Sequence, residues 1–195
     1  MMCADITRPL CVLQPTISHR RLVRTSARKT TSETSFSPRV VDVESFEAYG
    51  QIISSQEDGA RFSIERKEAK LDLAEGVPRL YMMRLRNKGG RLQFDEMNYH
   101  GLSSQSLSSV SELDWFIAVS RATFSEEQFP SHDDIEVFRI PGHVAINLNK
   151  GTWHAGPLFS EDERDFLNLE LMDTNTKDRY GHKYEDSGTR FTIEL

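Results

Sequence analysis

The sequence predicts an all-β, single-domain protein, a barrel or sandwich of many short strands with few short helices. Three observations carry this. The chain has 195 residues, a length suited to one domain with a substantial core. Short apolar stretches, many of them alternating, recur at close intervals from residue 79 onward. Turn signals separate many of them: Gly89-Gly90, Pro141-Gly142 and Gly151.

Taken in order, the fold is expected to begin near Val40, after Ser37-Pro38-Arg39. Ser45-Phe46-Glu47-Ala48-Tyr49-Gly50 reads as a short helix ended by its glycine. Ile52-Ile53 opens a strand, and residues 54–78 are charged without a clear period, so they read as loop and weak strand. Strands follow at 79–86, 91–97, 104–107, 114–119, 135–140, 143–148, 152–154, 166–171 and 189–195. Arg179-Tyr180-Gly181-His182-Lys183 reads as a polar loop able to cover a pocket mouth. No internal repeat is present.

The charge is divided unevenly. Seven of the 24 basic and two of the 30 acidic residues lie in 1–39, leaving 17 basic against 28 acidic in the body. Such an acidic body lacks the basic stripe of a nucleic-acid binder. No apolar run approaches the ~20 residues of a membrane span. Both cysteines, Cys3 and Cys11, precede the body, which excludes a disulfide framework or Cys-ligated zinc there. Residues 1–38 are rich in Arg, Ser and Thr, poor in acids, and have no apolar core of a secretory signal. They read as a disordered transit peptide, chloroplast by their hydroxyl content with a mitochondrion or the cytoplasm as alternatives, so the domain proper is 39–195.

The chemistry concentrates in two clusters. Gly151-Thr152-Trp153-His154 places an imidazole just after a tight turn, a position that often points into a barrel mouth. Asn98-Tyr99-His100 with Gln105 five residues later forms the second. This arrangement resembles the cupins, jelly-roll β-barrels whose metal-binding members use His-x-His, a later Glu, and a His three residues after a turn glycine. The resemblance implies a cupin-like jelly-roll barrel here. Two ligand positions keep histidine, His100 and His154, and two carry amides, Asn98 and Gln105. No firm metal site follows; a weakly bound divalent ion at His100, Gln105 and His154 is the most this donor set implies.

A narrower resemblance covers about residues 40–195. The chain is similar to the ureidoglycolate lyases, also called ureidoglycolate hydrolases. Ala48-Tyr49-Gly50 matches an N-terminal element of that family, and Met83-Arg84-Leu85 loosely matches its Phe-Arg-Ala. Met97 to Gln105 matches its Leu-Glu-Arg-His-Pro-Leu-Gly-Ser-Gln block in spacing, with His100, Leu102, Ser104 and Gln105 identical. Trp153-His154 and Pro157-Leu158-Phe159 match its last block in a form like the plant and algal branch. Bacterial members carry His and Arg where this chain has Asn149 and Lys150, and Pro where it has Gly101.

The resemblance implies a lyase that splits ureidoglycolate into glyoxylate and urea in allantoin and purine breakdown, working on a small carboxylate as a homodimer. Imidazole suits the proton transfers because its pKa lies near working pH. His154 is then expected as the base and His100 as its acid or orienting partner. Arg84 would clamp the carboxylate with its planar fork, Lys150 being the alternative cation. Gln105 would hold the urea or hydroxyl group, and Trp153 would wall the pocket. A cupin that binds a small carboxylate without catalysis is the competing expectation.

Overall fold

The computed structural model of the protein describes residues 32–195 except 64, 66, 88–90 and 185–187. Residues 1–31 of the expected transit peptide therefore lie outside the described residues, and 32–38 lie within them. The described elements run β1 (Ser32–Phe36), β2 (Arg39–Val40), α1 (Val43–Phe46), β3 (Gly50–Ile53), β4 (Pro78–Arg86), β5 (Gln93–Phe94), β6 (Glu96–Tyr99), β7 (Gln105–Ser109) and β8 (Trp115–Ser120). There follow β9 (Glu136–Ile140), β10 (Ala145–Leu148), β11 (Trp153–Leu158), β12 (Glu163–Leu171), α2 (Thr174–Lys177), β13 (Tyr180–Lys183) and β14 (Thr189–Ile193).

These strands make three sheets, ordered β3-β10-β7-β12-β4, β13-β6-β11-β8-β9-β2 and β1-β14-β5. The six-stranded sheet lies in the middle. On β8, Trp115, Ile117 and Val119 join a core with Leu107, Ile146, Leu148 and Phe166 of the five-stranded sheet. The alternate residues Phe116 and Ala118 join a second core with Phe94, Phe191 and Ile193 of the three-stranded sheet. Covered on both faces, β8 is apolar along almost its whole length, whereas a half-buried strand alternates.

The all-β, single-domain expectation holds. The barrel is not closed: the five- and six-stranded sheets face each other as a sandwich, and no ladder joins their edges among the described residues. The start of the folded body moves. Residues placed in the targeting segment form β1, paired in parallel with β14 from Ser32↔Thr189 to Phe36↔Ile193. Phe36 packs on Phe94 and Phe191 at ring separations of 6.3 and 5.6 Å. The signal for β1 was weak because Thr34 and Ser35 offer no apolar alternation. The stretch expected as one strand over 91–97 is broken into β5 and β6, and Tyr180–Lys183 of the expected polar loop is strand β13. No helix among the described residues is long and apolar enough to cross a membrane.

Candidate active site

The pleat of β6 sends Met97 and Tyr99 into the core shared with the three-stranded sheet. Asn98 lies opposite His154 on β11, and His154 lies opposite Val119 on β8, whose side chain faces the five-stranded sheet. Asn98, His154 and, two residues after Asn98, His100 therefore look into the space between the two large sheets. From the facing sheet β7 contributes Gln105, on the same side as the core residue Leu107. His100, Gln105, His154, Asn98, Glu96, Asn175 and Arg179 line one cavity of about 400 Å³. His100 and His154 stand 5.2 Å apart between ring centroids.

Both imidazoles are fixed by backbone. His100 Nδ1 lies 2.6 Å from the Asp178 carbonyl and His154 Nδ1 lies 3.0 Å from the Thr152 carbonyl. A carbonyl can only accept, so each Nδ1 carries a proton. Asp178 also receives the Gly101 and Leu102 amides on its carboxylate at 2.8 and 2.9 Å, which fixes the corner after β6. The Gly151 amide donates to the His100 carbonyl at 2.7 Å. Gly151 has φ +77, and a Cβ there would strike the Phe124 ring. The turn thus needs glycine both for its backbone and for its space.

Burial pushes the His154 imidazole down to about 3, helped by His100 and by the Arg179 guanidinium against the opposing Thr152 carbonyl. His154 is therefore neutral at ordinary pH. The opposite wall is a carboxylate-centred network. Glu170, buried on β12, accepts from Gln105 Nε2, from the Tyr81 hydroxyl and from Asn175 Nδ2, each at 3.0 Å. The Gln105 nitrogen is thereby committed, and its buried Oε1 has no hydrogen-bond partner among the described residues. Neutral His154 thus offers its Nε2 lone pair to an O–H or N–H donor of a ligand.

Arg179, which the sequence placed over a pocket mouth but gave no substrate role, supplies the positive charge. Its Nε donates to Asn98 Oδ1 at 3.1 Å and its Nη2 to Glu96 at 3.3 Å, leaving the half-exposed guanidinium at the cavity rim. Gly181 makes this possible. It lies opposite Asn98 across the β13–β6 ladder, and a Cβ there would run into Asn98 Oδ1.

Three expected site residues lie elsewhere. Arg84 points to the outer face of β4, where Asp165 takes its Nε and Nη2 at 2.8 and 2.9 Å. Its neighbours Met83 and Leu85 take the inward positions. Lys150 pairs with Asp72 at 3.1 Å beside a separate depression lined by Gln51, Ser104 and Asn149. Trp153 is adjacent to His154 in sequence and so opposite to it in the pleat. It is fully buried against Tyr99, ring centroids 4.7 Å apart, and donates to Thr123 Oγ1 at 2.9 Å. Its contribution is to seat β11 on the core, not to wall the cavity.

Among curated proteins none matches the chain. The family profile described as ureidoglycolate lyase matches residues 33–187, which runs from within β1 past the end of β13 and takes in every cavity residue named above. With that match over most of its length, the chain belongs to the ureidoglycolate lyase family and is a lyase.

Proposed function

We propose that the chain cleaves ureidoglycolate to glyoxylate and urea by proton transfer through His154. Ureidoglycolate is a hemiaminal bearing a carboxylate. Its C–N bond breaks when the hydroxyl loses a proton and becomes a carbonyl, while the urea nitrogen takes the bonding pair and a proton. His154 Nε2 receives the hydroxyl proton, and the imidazolium so formed returns it to the departing nitrogen. The Nδ1–H of His100 is held by the Asp178 carbonyl, which fixes the ring, and His100 serves to orient the substrate. Gln105 Oε1 accepts from the urea N–H groups. Arg179 takes the carboxylate in the role first expected of Arg84, since a guanidinium suits that group. The arriving carboxylate offsets the Arg179 charge that holds His154 down, which makes His154 a better base when substrate is bound.

The observation that carries this reading is the pair of Nδ1-anchored imidazoles, 5.2 Å apart, in one cavity with Gln105, whose Oε1 has no partner among the described residues. The test is glyoxylate release from ureidoglycolate by the purified chain and by His154→Gln. Unchanged turnover in the variant refutes the assignment.

The same donors, His100 Nε2, His154 Nε2 and Gln105 Oε1, suit a weakly held divalent ion. No carboxylate or thiolate stands among the three to offset a desolvated cation, and no three His, Cys, Asp or Glu side chains gather into a metal cluster among the described residues. Such an ion, when bound, polarises the substrate hydroxyl. Metal analysis of the purified protein, and activity before and after a chelator, test this.

A homodimer is proposed over the outer face of β4 and β12, where Leu80, Met82 and Leu167 are exposed side by side. Light scattering of the intact protein and of Leu80→Lys measures it. Residues before β1 are proposed to direct the chain to a chloroplast, which a reporter fused after residue 31 tests.

A further inference from the structure

We infer that the site also cleaves larger hemiaminals, N-acyl-α-hydroxyglycines whose acyl chain ends in a carboxylate; this rests on the lyase reading of the His100/His154 cavity. A second depression, of about 620 Å³, adjoins that cavity. The two share Leu85, Gln93, Phe94, Asp95, Gly156 and Pro157, so one molecule can occupy both. The register of β11 against β8 shifts between Ala155 and Leu158, and this bulge sets Gly156 and Pro157 at the junction.

The chemistry of this annex differs from that of the cavity. Phe94, Pro157 and Phe159 give it an apolar floor, and Arg86, Arg91 and Arg190 give it a cationic rim. Arg190 stands 3.6 Å from Asp95 and Arg86 stands 3.6 Å from Glu163, both beyond hydrogen-bond reach. Arg91 has no ion-pair partner among the described residues. Three guanidinium forks with donors to spare are notable in a body that carries 17 basic against 28 acidic residues. Ureidoglycolate cannot use them. Its single carboxylate goes to Arg179, which does not line the annex, and its urea end is uncharged. An apolar floor with a cationic rim fits a short methylene chain ending in a carboxylate.

The reaction is the same as for ureidoglycolate and needs no other reagent. The hemiaminal C–N bond breaks, its electron pair and a proton go to the amide nitrogen, and the hydroxyl oxygen becomes the aldehyde of glyoxylate. The second product is the primary amide of the dicarboxylic acid.

The test measures glyoxylate release by the full chain from racemic N-succinyl-α-hydroxyglycine, from its terminal-amide analogue and from ureidoglycolate. The succinyl compound should exceed the neutral analogue in kcat/KM by about tenfold, the loss expected when a charged hydrogen-bonded group is removed. Arg91→Gln should erase that preference and leave ureidoglycolate turnover unchanged. Equal rates for the two acyl compounds, or cleavage of ureidoglycolate alone, overturn this inference and spare the lyase reading. Absence of glyoxylate from all three overturns both.

Discussion

Glu170 accepts a 3.0 Å hydrogen bond from Gln105 Nε2, and this fixes which end of the amide meets the substrate. A carboxylate can only accept, so the amide nitrogen faces it and the oxygen is turned away from it. Glu170→Gln introduces a donor that competes for the same place. The KM for ureidoglycolate is expected to rise about tenfold, within the range lost with one hydrogen bond to a charged group. Circular dichroism at the assay temperature checks that the variant is folded, and an unchanged KM refutes the role.

His154→Gln is expected to lower turnover by roughly 10²–10⁴-fold with the fold retained. Its pH behaviour is a separate prediction. Burial lowers the imidazole from its ordinary 6.5 to about 3, so the unfolded chain binds this proton more readily than the native one. The stability contributed by neutral His154 is complete above about 6.5 and falls progressively as pH drops toward 3. Thermal unfolding from pH 7 to pH 4 should therefore show a shallower decline in His154→Gln than in the parent chain.

Arg179→Ala should raise KM by about ten- to a hundredfold, the loss of a charge-assisted hydrogen bond, with a smaller effect on kcat. Arg84→Ala should leave both constants within about twofold, because an exposed pair such as Arg84–Asp165 contributes little. Steady-state kinetics on the two variants decides between the two arginines.

Gly181→Ala places a methyl group against Asn98 Oδ1 and displaces the acceptor that holds Arg179 Nε. We expect a rise in KM of the same kind as in Arg179→Ala, with a stability loss of about 1–3 kcal/mol from overpacking. Urea denaturation together with kinetics reads both effects.

Deleting residues 1–31 should leave the melting temperature unchanged, whereas deleting through Phe36 should lower it. The longer deletion removes β1 from β14 and the Phe36 ring from Phe94 and Phe191. Full burial of a phenylalanine contributes about 1.5–3 kcal/mol, and the partly buried Phe36 ring contributes less. Differential scanning fluorimetry of the two truncations measures the difference.

Most of the strands were legible from alternation and turns, and so were the positions of His100, Gln105 and His154. What failed was phase. In β4 the run Leu80-Tyr81-Met82-Met83-Arg84-Leu85 is apolar at both parities, so nothing in it says which side Arg84 takes. In β12 the leucines alternate with Asn168 and Glu170, which suggests that the leucines turn inward. The fold does the reverse, burying Phe166, Asn168 and Glu170 and exposing Leu167. The two polar residues go inside because Tyr81, Gln105 and Asn175 meet them there with hydrogen bonds. Residues 179–183 read as a polar loop over a pocket mouth rather than as β13 because a short, polar edge strand carries no apolar period. Trp153 misled by adjacency, since the residue beside a site residue in a strand is the one that faces away.

The two imidazoles belong to one sheet, and Gln105 with its Glu170 support belongs to the sheet opposite. Any molecule held between them spans the sandwich and fastens its halves together. The free energy with which it binds is thereby added to the resistance of the whole fold to unfolding. Saturating glyoxylate or a substrate analogue should delay proteolysis at strands far from the cavity as well as at its rim.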